Sequence, residues 1–304
     1  MPHTDKTPSD PPATMGIPPD SQKLCEVFVQ LVDVVARLRG PSGCPWDRQQ
    51  TLESIKPYTL EETYELLEAI DSGDDELIIE ELGDVLLQVV LDAQIAADER
   101  RFDLIPVIER ITEKLIRRHP HVFSDAQAET PEDVRRHWDQ VKGKEKQRPS
   151  ALSGIPPALP ALAHTKKLSS KAAKVGFDWP RREMLFDKLR EEIGELADEL
   201  FPGGIVPDVP ASVAGQVETD EPIGDAAQQS RIENELGDLL FVVANIARRW
   251  KIDPEQALRK SNAKFTARFR YIEDQLTKVG RDIREATLDE MEALYQQGKA
   301  KENH

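Results

Sequence analysis

Apolar residues recur at three- and four-residue spacing along most of the chain. The spacing is clearest in three segments, which carry Leu31, Val34, Val35 and Leu38; Leu82, Val85, Leu86 and Val89; and Leu236, Leu239, Leu240 and Val243. This period places the apolar residues on one face of an α-helix. Runs that strictly alternate apolar and polar residues are essentially missing. The pattern therefore predicts an all-α fold with no sheet of consequence.

One helical unit occurs twice along the chain. In the first half LEETYEL (60–66) is followed by EELGDVLL (80–87), and in the second half REEIGEL (190–196) is followed by NELGDLLF (234–241). Each pair comes after a tryptophan and before a lysine and an arginine that are four residues apart. Self-similarity of this kind predicts two related helical domains, which we call the first copy and the second copy.

Prolines and glycines indicate where the domains end, because they crowd into three short stretches of the sequence. The predicted organisation is a disordered proline-rich tail at 1–21, a first domain at 22–147, a linker at 148–160 and a second domain at 161–304 with a flexible loop at 202–230. Within the domains, Asp74 is predicted to cap one helix, and Asp253 followed by Pro254 is predicted to begin another.

Charge and composition exclude several classes of function. The 304 residues include 40 Lys and Arg against 56 Asp and Glu, a net charge of −16, which argues against general binding of nucleic acid or of an anionic membrane. No apolar run approaches the ~20 residues of a membrane span, and the polar amino-terminal segment does not fit a signal peptide. Two cysteines cannot form a disulfide framework. We therefore expect a cytoplasmic protein.

The acidic residues of each copy fall on two helix faces. Residues three and four apart share a face, so three glutamates project together from one helix and a glutamate and an aspartate from the next. The sets are Glu61, Glu62, Glu65, Glu81 and Asp84 in the first copy, and Glu191, Glu192, Glu195, Glu235 and Asp238 in the second. If the two helices pack together, the carboxylates converge and repel one another unless a hard divalent cation, Mg²⁺ or Mn²⁺, lies between them.

The acidic residues have two other possible interpretations. A single cluster of this type is commonly a solvated helix face, but here the carboxylates border the core-facing stripe and the whole pattern recurs in both halves. A di-iron bundle would need Glu-x-x-His on two helices, and none of the six histidines follows a glutamate at that spacing.

Basic and aromatic residues form a second recurring group, as candidates for holding phosphate and a base. A lysine and an arginine one helical turn apart can bind phosphate oxygens, and an aromatic ring can stack on a base, although surface charges and packing residues look alike in sequence. The candidates are Lys264, Arg268, Tyr295 and Lys299 in the second copy, and Lys114, Arg118, Trp138 and Lys142 in the first.

Together these residues resemble the MazG family of nucleoside triphosphate pyrophosphohydrolases in its two-copy bacterial form. The resemblance covers roughly 22–146 and 161–302. It is carried by EExxE followed by ExxD, which stands here twice, and by CPWDRQQTLESIKPYTLEE, KLIRRHPHVF, VGFDWP and ANIARRWKIDPEQAL. One EExxE alone is weak evidence, whereas this ordered set is specific.

The resemblance implies an all-α fold whose protomers pair as a homodimer, and Mg²⁺-dependent hydrolysis of nucleoside triphosphates, ATP among them, to monophosphate and pyrophosphate with broad base preference. It also implies roles for individual residues. The metal ligands would be Glu192, Glu195, Glu235 and Asp238, with Glu62, Glu65, Glu81 and Asp84 in the first copy. Glu191 would support Glu192 in catalysis by orienting the attacking water. Tyr295 departs from the family, which commonly has tryptophan there.

The second copy is expected to be the main catalyst. Lys188 stands one turn before Glu191, and Arg231 one turn before Glu235, where both would meet triphosphate oxygens; the first copy has Tyr58 and Leu77 instead. Two alternatives stay open: a helical dimerisation or regulatory scaffold with degenerate nucleotide sites, and a phosphohydrolase for a related nucleotide such as dUTP, dCTP or a histidine-pathway intermediate.

Overall fold

The computed structural model describes residues 16–124, 126, 128, 130, 132–134, 137, 138, 149–208 and 222–301. The α-helices of this part are α1 Ser21–Arg39, α2 Pro45–Gln49, α3 Lys56–Ser72, α4 Asp75–Asp98, α5 Leu104–Arg118, α6 Pro120–Phe123, α7 Ala161–Lys174, α8 Met184–Leu200, α9 Ala226–Arg249, α10 Pro254–Lys278 and α11 Leu288–Lys301. Short 3₁₀ turns occupy Pro202–Gly204 and Ile283–Glu285. The prediction of an all-α fold is confirmed.

The chain divides into two compact units, Met1–Lys146 and Gln147–His304. In the first unit α3 packs along α4, and α4 also contacts α1 and α5. Its core joins Val35 of α1 to Ile55, which precedes α3, and to Val90, Leu91 and Ile95 of α4.

The second unit repeats the central pair, with α8 packed along α9, and adds α7, α10 and α11 around it. Leu185 and Ala244 are fully buried, and Val242, Ile272 and Leu276 are nearly so. In both units the paired helices are thus fixed by an apolar stripe, and the acidic residues lie beside it.

Local sequence chemistry determines where several of the helices begin and end. Asp74 accepts a hydrogen bond from the Glu76 backbone N–H at 3.0 Å, and Asp253 accepts one from Gln256 at 3.0 Å ahead of Pro254, so both predicted caps are confirmed. Gly73 ends α3 with φ of 72°, a left-handed conformation that favours glycine.

The structure corrects two predicted boundaries. Asp225 caps α9 through the Ala227 N–H at 3.0 Å, and the helix begins at Ala226, so 226–230 are helical and the predicted flexible loop at 202–230 was wrong there. Helix α1 begins at Ser21, inside the predicted tail. The rest of that tail as far as residue 15, and 209–221 of the loop, lie outside the described residues; the linker at 148–160 stays a prediction.

Candidate active site

The pair α8 and α9 brings three carboxylates of the second copy together. One oxygen each from Glu192, Glu195 and Glu235 lies within 4.8 Å of the other two. Glu192 is almost fully buried, with 3% of its surface exposed, whereas Glu195 is exposed. Asp238, one turn after Glu235, is also exposed and lies outside this group of three. We call Glu192, Glu195 and Glu235 the second acidic cluster.

Lys188 lies directly against the second acidic cluster. Its Nζ donates to Glu192 Oε1 at 2.6 Å and to Glu191 Oε1 at 2.9 Å. The lysine side chain is about one-third exposed, while the Glu192 side chain is 4% exposed. A buried carboxylate requires a partner of opposite charge, and in this structure the partner is an ammonium on the same helix face, one turn earlier.

The pair α3 and α4 forms the corresponding group in the first copy. Oxygens of Glu62, Glu81 and Asp84 lie within 4.8 Å of one another, and all three residues are half-buried. Glu65 lies outside this group and is exposed. We call these three residues the first acidic cluster. Glu62 and Glu81 of the first cluster are equivalent to Glu192 and Glu235 of the second. The third member differs, because it is Asp84 in the first cluster and Glu195 in the second.

The first acidic cluster has a tyrosine where the second has a lysine. Tyr58 is the counterpart of Lys188, and its ring packs edge-on against Trp46 with centroids 5.6 Å apart. This contact explains the aromatic residue, which supplies no positive charge. The predicted difference between the copies at this position therefore has a visible structural basis.

Titration of the clusters reflects crowded negative charge. Burial raises the pKa of Glu62, and repulsion from Asp84, Glu65 and Glu81 raises it further. Burial also raises the pKa of Glu81, followed by repulsion from Glu65 and Asp84.

The second cluster shows the same tendency at Glu195. Its pKa is raised first by burial and then by its hydrogen bond to Glu192 and their repulsion, with Lys188 acting in the opposite direction. Both clusters thus favour an added proton or an added cation.

The donor atoms fit a hard divalent cation. All are carboxylate oxygens, which Mg²⁺ and Mn²⁺ prefer, and their separations allow one ion or a hydrated ion to contact several of them. Oε2 of Glu81 is buried and accepts no hydrogen bond from the described residues. A buried carboxylate oxygen in that state indicates a group that would complete the site.

Arg231 is paired with a carboxylate of α8. Its Nε donates to both carboxylate oxygens of Glu199, at 3.0 and 2.9 Å, and Gln228 Nε2 donates to the Glu199 backbone oxygen at 3.0 Å. Glu199 lies one turn after Glu195 on α8. The guanidinium is therefore paired beside the second acidic cluster, and a triphosphate would have to compete with Glu199 for it.

The predicted nucleotide-binding residues of the second copy lie on α10 and α11. The Arg268 guanidinium lies over the Tyr295 ring, 5.4 Å from its centroid, and Lys264 and Lys299 are exposed. Gly298 lets the two helices approach closely, because a Cβ there would lie 3.2 Å from the Tyr271 ring. The arginine and the aromatic residue are therefore brought together, on helices other than the pair that carries the carboxylates.

The first copy repeats this contact. The Arg118 guanidinium lies 5.3 Å from the centroid of the Trp138 ring, and Lys114 is exposed on the same helix as Arg118. The His119 ring lies 6.1 Å from the Trp138 ring. Lys142 lies outside the described residues. The arginine–aromatic pair is thus common to both copies.

Asp178 is a structural residue that sequence reasoning missed. It accepts hydrogen bonds from Arg248 at 2.7 and 3.1 Å and from Arg249 at 2.8 Å, and Arg249 also donates to the Trp179 backbone oxygen at 2.8 Å. The network ties the segment before α8 to the end of α9. The signal was present, because VGFDWP and ANIARRW stand out in the sequence, but no role could be read from either alone.

A family model describes this combination of features. The MazG nucleotide pyrophosphohydrolase domain matches residues 50–123 and again 181–272, so each match includes one acidic cluster. The chain belongs to the MazG family. The expected membership, and with it the expectation of a pyrophosphohydrolase, is confirmed.

Individual relatives extend the MazG similarity over nearly the whole chain. A nucleoside triphosphate pyrophosphohydrolase/pyrophosphatase MazG of Thermotoga maritima is 39% identical over 275 residues, which cover 90% of this chain and 96% of the relative. A nucleoside triphosphate pyrophosphohydrolase of Escherichia coli K12 is 42% identical over 277 residues, 90% of this chain and 97% of the relative. One of Mycobacterium tuberculosis is 39% identical over 160 residues, about half of each chain.

None of the helices that the structure describes combines the length and the apolar character that crossing a bilayer requires.

Proposed function

We propose that this protein hydrolyses nucleoside triphosphates to nucleoside monophosphate and pyrophosphate, mainly at the second copy. The observation that carries the proposal is the convergence of Glu192, Glu195 and Glu235 within 4.8 Å, with Lys188 beside them. The relatives named as nucleoside triphosphate pyrophosphohydrolases support the same reaction.

Mg²⁺, or Mn²⁺ in its place, would be held by Glu192, Glu195, Glu235 and Asp238. The exposed carboxylate of Asp238 would complete the set by turning toward the cluster from the same helix as Glu235. The ion would neutralise the α- and β-phosphate oxygens and so favour attack at phosphorus and departure of pyrophosphate.

The chain's own residues would position the reactants. Glu191, whose side chain is 56% exposed, would accept a hydrogen bond from the water and orient it toward the α-phosphorus. The water oxygen bonds to that phosphorus, and the proton that the water loses passes to bulk solvent. The bond to the α–β bridging oxygen breaks, and pyrophosphate leaves with that oxygen. Lys188 would donate to a triphosphate oxygen as negative charge moves toward the leaving group.

The remainder of the nucleotide would be bound by residues of α10 and α11. Lys264, Arg268 and Lys299 would contact phosphate oxygens, and the Tyr295 ring, already in contact with Arg268, would stack on the base. Stacking accepts any base, which supports a broad base preference. Arg231 would add to the phosphate contacts after release from Glu199.

The first copy would be the weaker site. Glu62, Glu65, Glu81 and Asp84 would supply its carboxylates, and Lys114, Arg118, Trp138 and Lys142 its nucleotide contacts. It lacks an ammonium at the position of Lys188, where Tyr58 packs on Trp46. The first copy thus keeps the carboxylates that would bind a cation, but it lacks one of the side chains that would contact phosphate.

The protein is also proposed to form a homodimer. Helix α5 has no buried residue within its own unit, and five of its apolar side chains are exposed by 43–62%. They are Ile105, Ile108, Ile111, Leu115 and Ile116. An apolar helix face of this extent is typical of a surface covered by another chain, and nucleoside triphosphates and a second protomer are the partners that we propose.

A matched pair of substitutions in the full chain tests the assignment to the second copy. Glu192→Gln keeps the size of the side chain but removes a charge at the second acidic cluster, and Glu62→Gln does the same at the first. We expect Glu192→Gln to lower pyrophosphate release from an equimolar nucleotide mixture by at least about a hundredfold. Glu62→Gln should retain most of the activity.

Circular dichroism supplies the control for this pair, because both variants should keep the helical content of the unmodified chain. Full activity in a folded Glu192→Gln variant would contradict the site. Loss of activity in the Glu62→Gln variant alone would assign the main catalytic site to the first copy.

A further inference from the structure

The second acidic cluster contacts an internal cation at a position where the first acidic cluster has a tyrosine. Lys188 Nζ lies 2.6 Å from Glu192 and 2.9 Å from Glu191, and its counterpart in the first copy, Tyr58, packs on an aromatic ring. Negative charge is therefore compensated from within the chain at the second acidic cluster.

The lysine and a divalent ion would compete for the same carboxylate. Glu192 is buried, so few directions of approach to its oxygens are open, and Lys188 already occupies one of them at hydrogen-bond distance. An Mg²⁺–oxygen distance is about 2.1 Å, so an ion at Glu192 would lie within a few ångströms of the ammonium and be repelled by it. The lysine side chain is one-third exposed, so it can withdraw toward solvent.

The first acidic cluster has no such competitor at this position. Buried Oε2 of Glu81 accepts no hydrogen bond from the described part of the chain. A cation that enters here gains the full attraction of the carboxylates and displaces no ion pair from this position.

We infer that Lys188 neutralises the second acidic cluster before metal arrives, so that a divalent cation binds there only by displacing it, whereas the first cluster binds the cation without that competition. This inference rests on the proposed metal-dependent function. In the absence of nucleotide the first copy is thus the tighter cation site, although the second copy is the main catalyst. The displaced ammonium becomes available to a triphosphate, so cation and substrate binding support each other at the second copy.

Mn²⁺ binding to the nucleotide-free full chain tests the displacement, with free Mn²⁺ measured by electron paramagnetic resonance. A Glu81→Gln background weakens the first cluster and leaves the second to be measured. In that background Lys188→Met should lower the Mn²⁺ dissociation constant roughly tenfold, because a charge-assisted contact no longer has to be broken. Arg190→Met is the matched control, since it removes a positive charge that is 73% exposed on the same helix and should leave the constant unchanged.

The mirror substitution tests the same idea at the first cluster. In a Glu235→Gln background, Tyr58→Lys should raise the Mn²⁺ dissociation constant roughly tenfold, because it supplies the competing ammonium. This arm also decides the matter if Lys188→Met does not fold once Glu192 has lost its partner. Melting temperature in chelator and in Mn²⁺ adds a measurement independent of activity, and Mn²⁺ should stabilise Lys188→Met more than the unmodified chain.

The possible outcomes separate this inference from the proposed function. Mn²⁺ binding that Lys188→Met leaves unchanged or weakens, in a folded protein, overturns the displacement and leaves the metal site standing. If Tyr58→Lys does not weaken Mn²⁺ binding at the first cluster, the displacement is likewise overturned and the metal site again stands. Failure of every variant and of the unmodified chain to bind Mn²⁺ overturns both.

Discussion

Asp178 illustrates how a single carboxylate fixes the segment that leads into α8. Its side chain is 20% exposed and contacts Arg248 and Arg249, which are 10% and 20% exposed. Burial acts to raise the pKa of Asp178, but the hydrogen bonds from the two arginines and the charge of Arg248 outweigh it, so the pKa is lowered. The ionised form is therefore favoured by folding, and removing it would leave two guanidinium groups poorly paired.

Asp178→Asn is expected to lower the free energy of unfolding by about 2 kcal/mol near neutral pH. Because the pKa is lowered in the folded state, this contribution is present above the unfolded pKa of about 4 and is lost as the pH falls through the folded value. Urea denaturation of both proteins at neutral pH and at about pH 3 checks it, and the difference between them should shrink at the acidic pH.

Asp282→Asn is the control for this prediction. Asp282 also has a lowered pKa, held mainly by hydrogen bonds from Arg284, but that arginine is 87% exposed and the pair is open to solvent. Its loss should leave the urea midpoint unchanged. Equal effects of the two substitutions, or an effect of Asp178→Asn that does not depend on pH, would contradict the stabilising role of Asp178.

At the residue scale the sequence shows which side chains share a helix face. It does not show which of those side chains contact one another in the folded protein. The spacing of Glu192 and Glu195 placed both on one side of α8, and the structure brings them together. The same spacing could not show that Asp238 remains outside the group or that Arg231 pairs with Glu199. Those choices depend on the rotation of α9 against α8, which the packing of their apolar stripes sets.

At the scale of elements, the period of apolar residues was sufficient to predict the helices. It failed at the start of α9, because the acidic and glycine-rich segment before it has the composition of a loop as far as its cap, Asp225. A single capping aspartate within such a segment gives little signal in sequence. The chemistry that begins the helix becomes visible only when its hydrogen bond to Ala227 is seen.

Helix α5 carries the exposed apolar face through which we propose that the protein dimerises. Ile108→Glu places a charge on that face and is expected to raise the dimer dissociation constant by at least about tenfold, because a glutamate would be buried in the interface. Sedimentation velocity over a range of protein concentrations checks the prediction.

Arg110→Glu is the matched control, because it introduces the same residue on the same helix at a polar, exposed position. It should leave the dissociation constant unchanged. A chain that is monomeric before any substitution, or a dimer that is equally stable with Glu at position 108, would contradict the role of α5.

At the scale of the whole molecule, duplication made the architecture predictable. Each repeated acidic motif indicates one pair of packed helices. Of the two matches to the MazG domain, one lies in each compact unit. What the repeat could not show is how the copies have diverged in charge. The sequence shows a lysine at position 188 and a tyrosine at the equivalent position 58. Only the structure shows that the Lys188 ammonium contacts Glu192 and that this glutamate is buried.

The central claim is that water attacks the α-phosphorus of a nucleoside triphosphate. Hydrolysis in ¹⁸O-labelled water, followed by mass spectrometry of both products, tests it most directly, because the label remains on the phosphorus that was attacked. Attack at the α-phosphorus is expected to leave one ¹⁸O atom in the nucleoside monophosphate and none in the pyrophosphate. Label in the pyrophosphate, or release of orthophosphate with a nucleoside diphosphate, would contradict it.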